Sequence, residues 1–143
     1  MSKRAFILLV ISLCMLPFPL AAQDTLTLDP SVSSVVSGGY WEKEKERGSY
    51  RIIVWSRGWE HVTSKVRVEW ILEDSDKQEN RVFVSSAVDS IPDWVWSLGQ
   101  PALTYSRRVC EVTIDGTDPH DLEKASWVIT LRGPAQMSVL KRK

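Results

Sequence analysis

The strongest constraint on the fold of this chain is the alternation of apolar and polar side chains along residues 62–72. Val66, Val68 and Trp70 fall on one side of an extended segment, whereas Lys65 and Arg67 fall on the other. A β-strand places successive side chains on opposite faces, so this pattern predicts a strand with one buried face and one wet face. No segment longer than about one turn shows the 3.6-residue period of an amphipathic helix.

A turn is expected at residues 46–49, and further extended segments are expected over residues 38–45, 50–55, 81–88, 103–114, 125–131 and 136–140. Segment 50–55 has apolar residues on both sides, which indicates a central strand. Residues 90–101 contain Pro92, Gly99 and Pro101 and are expected to form a crossover loop. The pattern predicts an all-β domain, an antiparallel β-sandwich of about seven or eight strands with an immunoglobulin-like or jelly-roll-like arrangement; an open barrel is the alternative.

The apolar sides of these strands supply the expected core, which consists of Val66, Val68, Trp70, Cys110, Val112, Ile114, Trp127, Ile129 and Leu131. Cys110 is the one cysteine after residue 22, so the remaining chain has no internal disulfide and depends on its core and hydrogen bonds. Because Cys110 shares a face with Val112 and Ile114, we expect a buried, inert thiol; a reactive thiol is the alternative.

Residues 1–22 have the organisation of a secretory signal peptide. Lys3 and Arg4 form a positive start, an uncharged apolar run follows, and Ala21 and Ala22 precede polar Gln23. Cleavage after Ala22 would leave one domain, residues 23–143, in the periplasm or outside the cell. The apolar run is shorter than a membrane span and contains two prolines, so no membrane insertion is expected after cleavage.

Charge and composition narrow the class of partner. The chain has 18 basic and 18 acidic residues, and loss of Lys3 and Arg4 leaves a net charge of about −2. Proteins that bind nucleic acid through its phosphates need a basic surface, so a nucleic-acid partner is not expected. Hydrophobic and charged residues make up 43% and 25% of the chain, which is typical of a globular domain.

No set of residues typical of catalysis is found in the sequence. His61 and His120 are the only imidazoles, and the chain contains no Gly-x-Ser-x-Gly motif. Asp115, Asp118 and Asp121 lie close to His120 and are metal-ligand types, but the calcium-loop pattern is incomplete and a solvent-exposed turn explains them equally. We therefore expect a non-enzymatic protein without a cofactor, and a metal site here stays an open alternative.

Tryptophan is the residue type that suggests a function, because seven are present. Trp70 and Trp127 fall on core faces, whereas the position of Trp55, opposite Ile52 and Val54, leaves its environment open. Trp59, Trp94 and Trp96 lie beside a turn or within loop 90–101, where strand geometry does not force them inward. Large aromatic side chains of this kind contribute most to binding, so these three are candidate partner-binding residues. The alternative is that they cap the core.

One short motif adds two further candidates. Ser37, Gly38, Gly39 and Tyr40 resemble the Ser-Gly-x-Tyr signature of small periplasmic β proteins that inhibit lysozymes by placing a loop in the enzyme's cleft. The resemblance covers these four residues and implies that Ser37 and Tyr40 contact the partner. Three hypotheses follow: an exported protein that binds another macromolecule, a glycan-binding module that uses exposed tryptophans, and an inhibitor of the lysozyme-inhibitor type.

The signal-peptide interpretation predicts the mass of the exported protein. Because the small residues Ala21 and Ala22 precede polar Gln23, signal peptidase should cleave at that boundary. Intact-mass spectrometry of protein from the cell envelope should give a chain that begins at Gln23 or within one or two residues of it. A species that retains residues 1–22 would contradict the predicted location.

Overall fold

The computed structural model describes residues 28–58, 62–74, 76–77, 79–92 and 96–142, and the predicted signal peptide lies outside them. The first sheet contains β1 (Val32–Lys43), β2 (Glu46–Arg57), β3 (Thr63–Asp74) and β4 (Glu79–Ala87), in that order. The second contains β5 (Ser97–Leu98), β6 (Ala102–Ser106), β7 (Val109–Thr117), β8 (Lys124–Gly133) and β9 (Gln136–Arg142). There β7, β8 and β9 are neighbours, and both β5 and β6 pair with β7.

The predicted fold class is confirmed. Every strand pair is antiparallel, the two sheets pack face to face, and they do not close into a barrel. Neighbours in each sheet are mostly consecutive in sequence, so each sheet is a meander, and the chain crosses from one to the other between β4 and β5. The predicted crossover loop 90–101 therefore connects the sheets, although its middle forms the two-residue strand β5.

Two turns lie elsewhere than the sequence predicts. The predicted strand 103–114 is divided by a turn at Arg107 and Arg108, whose φ angles of 48° and 66° are those of a tight hairpin. The expected turn at residues 46–49 occurs instead at Glu44 and Lys45. Gly48 is inside β2 for a steric reason, because a Cβ atom there would lie 1.7 Å from the carbonyl oxygen of Ile71.

All nine predicted core residues are buried, with exposures between 0% and 4%. Tyr50, Ile52 and Val54 of β2 join them from the first sheet, as expected for a central strand. At one edge the rings of Trp41 and Phe83 stack with centroids 5.6 Å apart. A bulge in β4 allows both Phe83 and Val84 to pack against the core, so Val82 is exposed and the expected alternation of residues 81–88 fails there.

Gly39 allows β1 to pack closely against the core. The β1–β2 register shifts between Gly38 and Trp41, and within this bulge Gly39 has a φ of 69°. A Cβ atom on Gly39 would lie 2.9 Å from both the Cys110 sulfur and the Tyr50 ring. Both the backbone angle and the lack of space therefore require glycine.

Replacing Gly39 tests this packing. Gly39→Ala should lower the free energy of unfolding by roughly 2–4 kcal/mol, since it adds left-handed strain to overpacking of the core. Gly99→Ala is the matched control, because the nearest atom to its Cβ would be 3.4 Å away at the Asp115 carbonyl oxygen. Urea denaturation should show a clear shift for the first variant and little for the second; equal midpoints would contradict the argument.

Cys110 is fully buried, as predicted. Burial, with a smaller contribution from the Glu111 carboxylate, raises the pKa of its thiol from 9.0 to about 11. The thiolate is the nucleophilic form of cysteine. At neutral pH this thiol is protonated and enclosed, which supports the inert interpretation over the reactive one.

The raised pKa makes stability depend on alkaline pH. The folded protein retains the Cys110 proton between about pH 9 and 11, where the unfolded chain has lost it, so its contribution to stability is complete below pH 9 and declines towards pH 11. Burial also raises the pKa of Tyr50, which extends the decline to higher pH. Urea unfolding at pH 8, 9.5 and 10.5 should show a falling free energy, with a shallower slope in Cys110→Ala. Rapid reaction of the folded protein with Ellman's reagent at pH 8 would contradict the enclosed thiol.

Candidate functional site

The outward face of the first sheet carries a mixed apolar and basic surface. Tyr50, Ile52 and Val54 of β2 point into the core, so the alternating Ile53 and Trp55 point outward and are half-buried. The strand register places Val35 of β1 beside Ile53, and Ile53 beside Arg67 of β3. We define the Trp55 surface as Val35, Ile53, Trp55, Lys65, Arg67 and Ala87.

Apolar side chains on this surface are open to solvent. Val35 has 44% of its surface exposed, and it continues the half-buried Ile53 towards the edge of the sheet. Trp55 lies opposite Lys65 in the β2–β3 pair. An apolar strip on a wet sheet face is costly to leave in water, which distinguishes this region from the polar outer positions around it.

Arg67 is held over the Trp55 ring, with its guanidinium carbon 5.5 Å from the ring centroid. Attraction between a cation and the negative face of an indole orients the side chain at an exposed site. Two neighbouring arginines are neutralised differently. Arg51 donates to Glu69 at 2.7 Å through Nε and contacts it at 2.5 Å through Nη2, and Arg57 lies 3.6 Å from the Asp29 carboxylate.

Arg67 differs from both, because none of the ion pairs found in the described part of the chain involves it. The one nearby carboxylate on its own strand, that of Glu69, is already bound by Arg51. The guanidinium of Arg67 is therefore placed over an aromatic ring rather than in an ion pair with a carboxylate.

A groove runs beside the Trp55 surface, along the end of β4. Two adjoining pockets make up this groove, and Lys65, Val66, Arg67 and Ala87 line both of them. Trp55, Arg57, Thr63 and Asp29 line one end, and Val88, Asp89, Ile91 and Pro92 line the other. The groove is thus bordered by both the outward aromatic ring and the start of the crossover.

Asp29 neutralises one end of this groove. Its Oδ1 accepts hydrogen bonds from the Ser31 hydroxyl at 2.6 Å and from the Ser31 amide at 2.9 Å. These bonds, followed by the charge of Arg57, hold the pKa of Asp29 below its usual value. Because Asp29 stays ionised, it balances Arg57, whereas the ion pairs found among the described residues do not include Arg67, which lies further along the groove.

Trp96 is buried, so the prediction that it binds a partner is corrected. It is 6% exposed and packs edge-to-face on Trp127, with ring centroids 5.0 Å apart. The Lys141 ammonium covers it from 4.8 Å. A ring enclosed on these sides cannot offer its face to a partner, so the core-capping alternative describes Trp96. The other two candidates, Trp59 and Trp94, lie outside the described residues.

Ser37 and Tyr40 do not lie in a projecting loop. Both are inside β1, where Ser37 is exposed opposite Arg51 and Tyr40 is half-buried within the bulge. The glycine between them is explained by the contact of Gly39 with the core. The motif therefore has a packing function that the resemblance did not suggest.

The acidic segment after β7 forms local turn contacts. Asp118 accepts a hydrogen bond from the His120 amide, and Asp121 accepts one from the Glu123 amide, each at 2.8 Å. Asp115 lies in β7 and accepts from the Ser126 hydroxyl. Among the described residues, no three His, Cys, Asp or Glu side chains converge where they could hold a metal ion.

The alternation of side chains in the sequence does not identify Arg67 as a site residue and leaves the environment of Trp55 open. Alternation along β2 does place Trp55 opposite Ile52 and Val54, and Arg67 is on the wet side of β3. What alternation does not give is the register that brings the two side chains together across neighbouring strands. Strand pairing, rather than composition, creates the Trp55 surface.

The chain matches no protein family, and neither the curated proteins nor the solved structures give a significant match to it. The described residues include no helix long and apolar enough to cross a membrane.

Proposed function

We propose that this protein is exported to the periplasm or beyond the cell and acts there, without catalysis, by binding another protein through the Trp55 surface. The observation that carries the proposal is the outward Trp55 ring, with Arg67 over it and Val35 and Ile53 alongside. Tryptophan and arginine are the residue types that most often dominate binding energy at protein interfaces.

The positions of the residues on the Trp55 surface, as well as their types, fit a protein interface. Ile53 and Trp55 supply apolar surface, Val35 extends it on the β1 side, and the exposed basic residues Lys65 and Arg67 flank it on the β3 side. A dry centre within a polar rim is the usual anatomy of a non-obligate protein interface. The signal-like residues 1–22 support the location, and the net charge argues against a nucleic-acid partner.

The two other hypotheses have less support. A glycan-binding platform needs an open aromatic face, but Arg67 covers one face of Trp55 and Trp96 is buried. Insertion into an enzyme cleft needs a projecting segment, whereas Ser37 and Tyr40 lie within β1. No described feature favours either over a protein partner.

A pair of matched substitutions tests the proposal. Val35 and Leu140 are both exposed aliphatic residues in strands, at 44% and 58%, and they lie on different sheets. Val35→Asp should lower capture of envelope proteins by tagged mature protein at least tenfold, because a carboxylate would have to lose its water in an apolar contact. Leu140→Asp should leave capture unchanged.

Quantitative mass spectrometry of the co-purified proteins measures the effect, and urea denaturation verifies that both variants fold. Proteins that are retained equally by wild type and Val35→Asp would show that the Trp55 surface is not the binding site. Loss of capture with Leu140→Asp alone would place the site on the second sheet.

A further inference from the structure

Three neighbouring arginines on the outer side of β2 and β3 have different electrostatic environments, and the difference identifies a partner chemistry. Arg51 is bound to Glu69, and Arg57 is near Asp29. Arg67 has an aromatic ring in place of a carboxylate. From this we infer that the partner is an extended, acidic polypeptide segment whose carboxylate binds Arg67; the inference rests on the proposed function.

Stacking on Trp55 prepares Arg67 to bind an anion. The ring fixes the position of the guanidinium but accepts none of its five N–H groups in ordinary hydrogen bonds, so the planar fork stays available for a bidentate carboxylate. A long side chain normally loses conformational freedom when it binds, and an arginine already held in place loses less of it. The arrangement therefore favours binding of an acid at this position.

The residues around Arg67 indicate which side chain of the partner would lie beside its carboxylate. The strand register aligns Val35, Ile53, Arg67 and Ala87 in one row across the four strands. Neighbouring strands are about 4.8 Å apart, so Val35 and Arg67 are separated by about 10 Å. An extended polypeptide places side chains of one face about 7 Å apart. Such a segment, lying across the strands, can place an apolar side chain over Val35 and Ile53 and a carboxylate at Arg67.

An anionic glycan carries the same charged group but fits this surface less well. Arg67 already occupies one face of Trp55, which leaves less of the ring for stacking of a sugar. The apolar contacts that Val35 and Ile53 offer are also better matched by aliphatic side chains than by hydroxyl-bearing rings. We therefore assign the acidic group to a polypeptide and treat the glycan as an outcome of the test.

Two peptides and an oligosaccharide serve as probes. The acetylated and amidated peptide (Val-Ser-Glu-Ser)2 alternates Val and Glu along one face when it is extended. In an NMR titration of the mature protein it should shift the Trp55 indole signal and the β3 amide signals, and the shifts should reach saturation. The neutral peptide (Val-Ser-Gln-Ser)2 should bind at least tenfold more weakly. Raising NaCl from 50 to 500 mM should weaken the acidic peptide severalfold, because exposed charge pairs are screened by salt.

Substitution of Arg67 completes the test. Arg67→Gln should weaken the acidic peptide at least fivefold, and Arg67→Lys should lose less, because it keeps the charge. Arg132→Gln removes an exposed arginine from β8 of the second sheet and should have no effect. Urea denaturation verifies that each variant folds, so a loss of binding is not a loss of structure.

Equal binding of the two peptides, or unchanged binding by Arg67→Gln, would overturn the inference. Binding of hexagalacturonate with no binding of the acidic peptide would overturn it in favour of a glycan. Capture of envelope protein by the two variants distinguishes failure of the inference from failure of the proposed function. If Val35→Asp abolishes capture of envelope protein while Arg67→Gln retains it, the Trp55 surface binds protein without an acidic contact. If neither variant changes capture, both fail.

Discussion

The structure depends on the packing of large aromatic side chains between two sheets that no disulfide holds together. Tyr50 and Trp70 meet edge-to-face on one side of the core, with centroids 6.3 Å apart, and Trp127 lies on the other. A buried Trp removes about 150–250 Å² from water, a gain of roughly 4–6 kcal/mol. Burial of these rings also has a cost, because it removes polar atoms from water. The Tyr50 hydroxyl and the Trp70 and Trp127 indole nitrogens have no hydrogen-bond partner within the described chain. At roughly 1–3 kcal/mol each, that penalty is smaller than the gain.

Filling the core with such large rings explains the glycines that surround it. Gly39 lies against Tyr50 and Cys110, and a Cβ atom on Gly116 would be 2.7 Å from the Trp127 ring. The rings of Tyr50 and Trp127 thus each have a neighbour without a side chain, and each glycine sets the distance between its strand and the core. The Ser37–Tyr40 motif is a case in which a sequence signature that suggests binding instead reflects this packing.

The Trp55 ring is an exception to this burial of aromatic side chains. Of the tryptophans that the structure describes, Trp41, Trp70, Trp96 and Trp127 are buried, and Trp55 is not. The outer face of the second sheet is different in character, with hydroxyl side chains such as Thr113, Thr130 and Ser138 beside Val128 and Leu140. Aromatic and guanidinium groups are combined on the first sheet, and for that reason the proposed binding site is placed there.

The sequence alone determined which residues can be buried and what kind of fold buries them. Alternation identified the strands and the core faces, since side-chain direction in a strand changes with every residue and needs no knowledge of the partner strand. It could not locate the turn at Arg107 and Arg108, where neither residue is the Gly or Asn usual at positive φ. Nor could it locate the bulge at Phe83.

Only the tertiary structure decided where the tryptophans beside the strands go and which charges they meet. Trp96 could have faced either way from an irregular loop, and contact with Trp127 and Lys141 drew it inward. Trp55 and Arg67 are 12 positions apart in the chain and become neighbours through the β2–β3 register. Pairing between strands is a non-local choice, made by the combined packing of both sheets, so a surface that depends on it cannot be read from either strand alone.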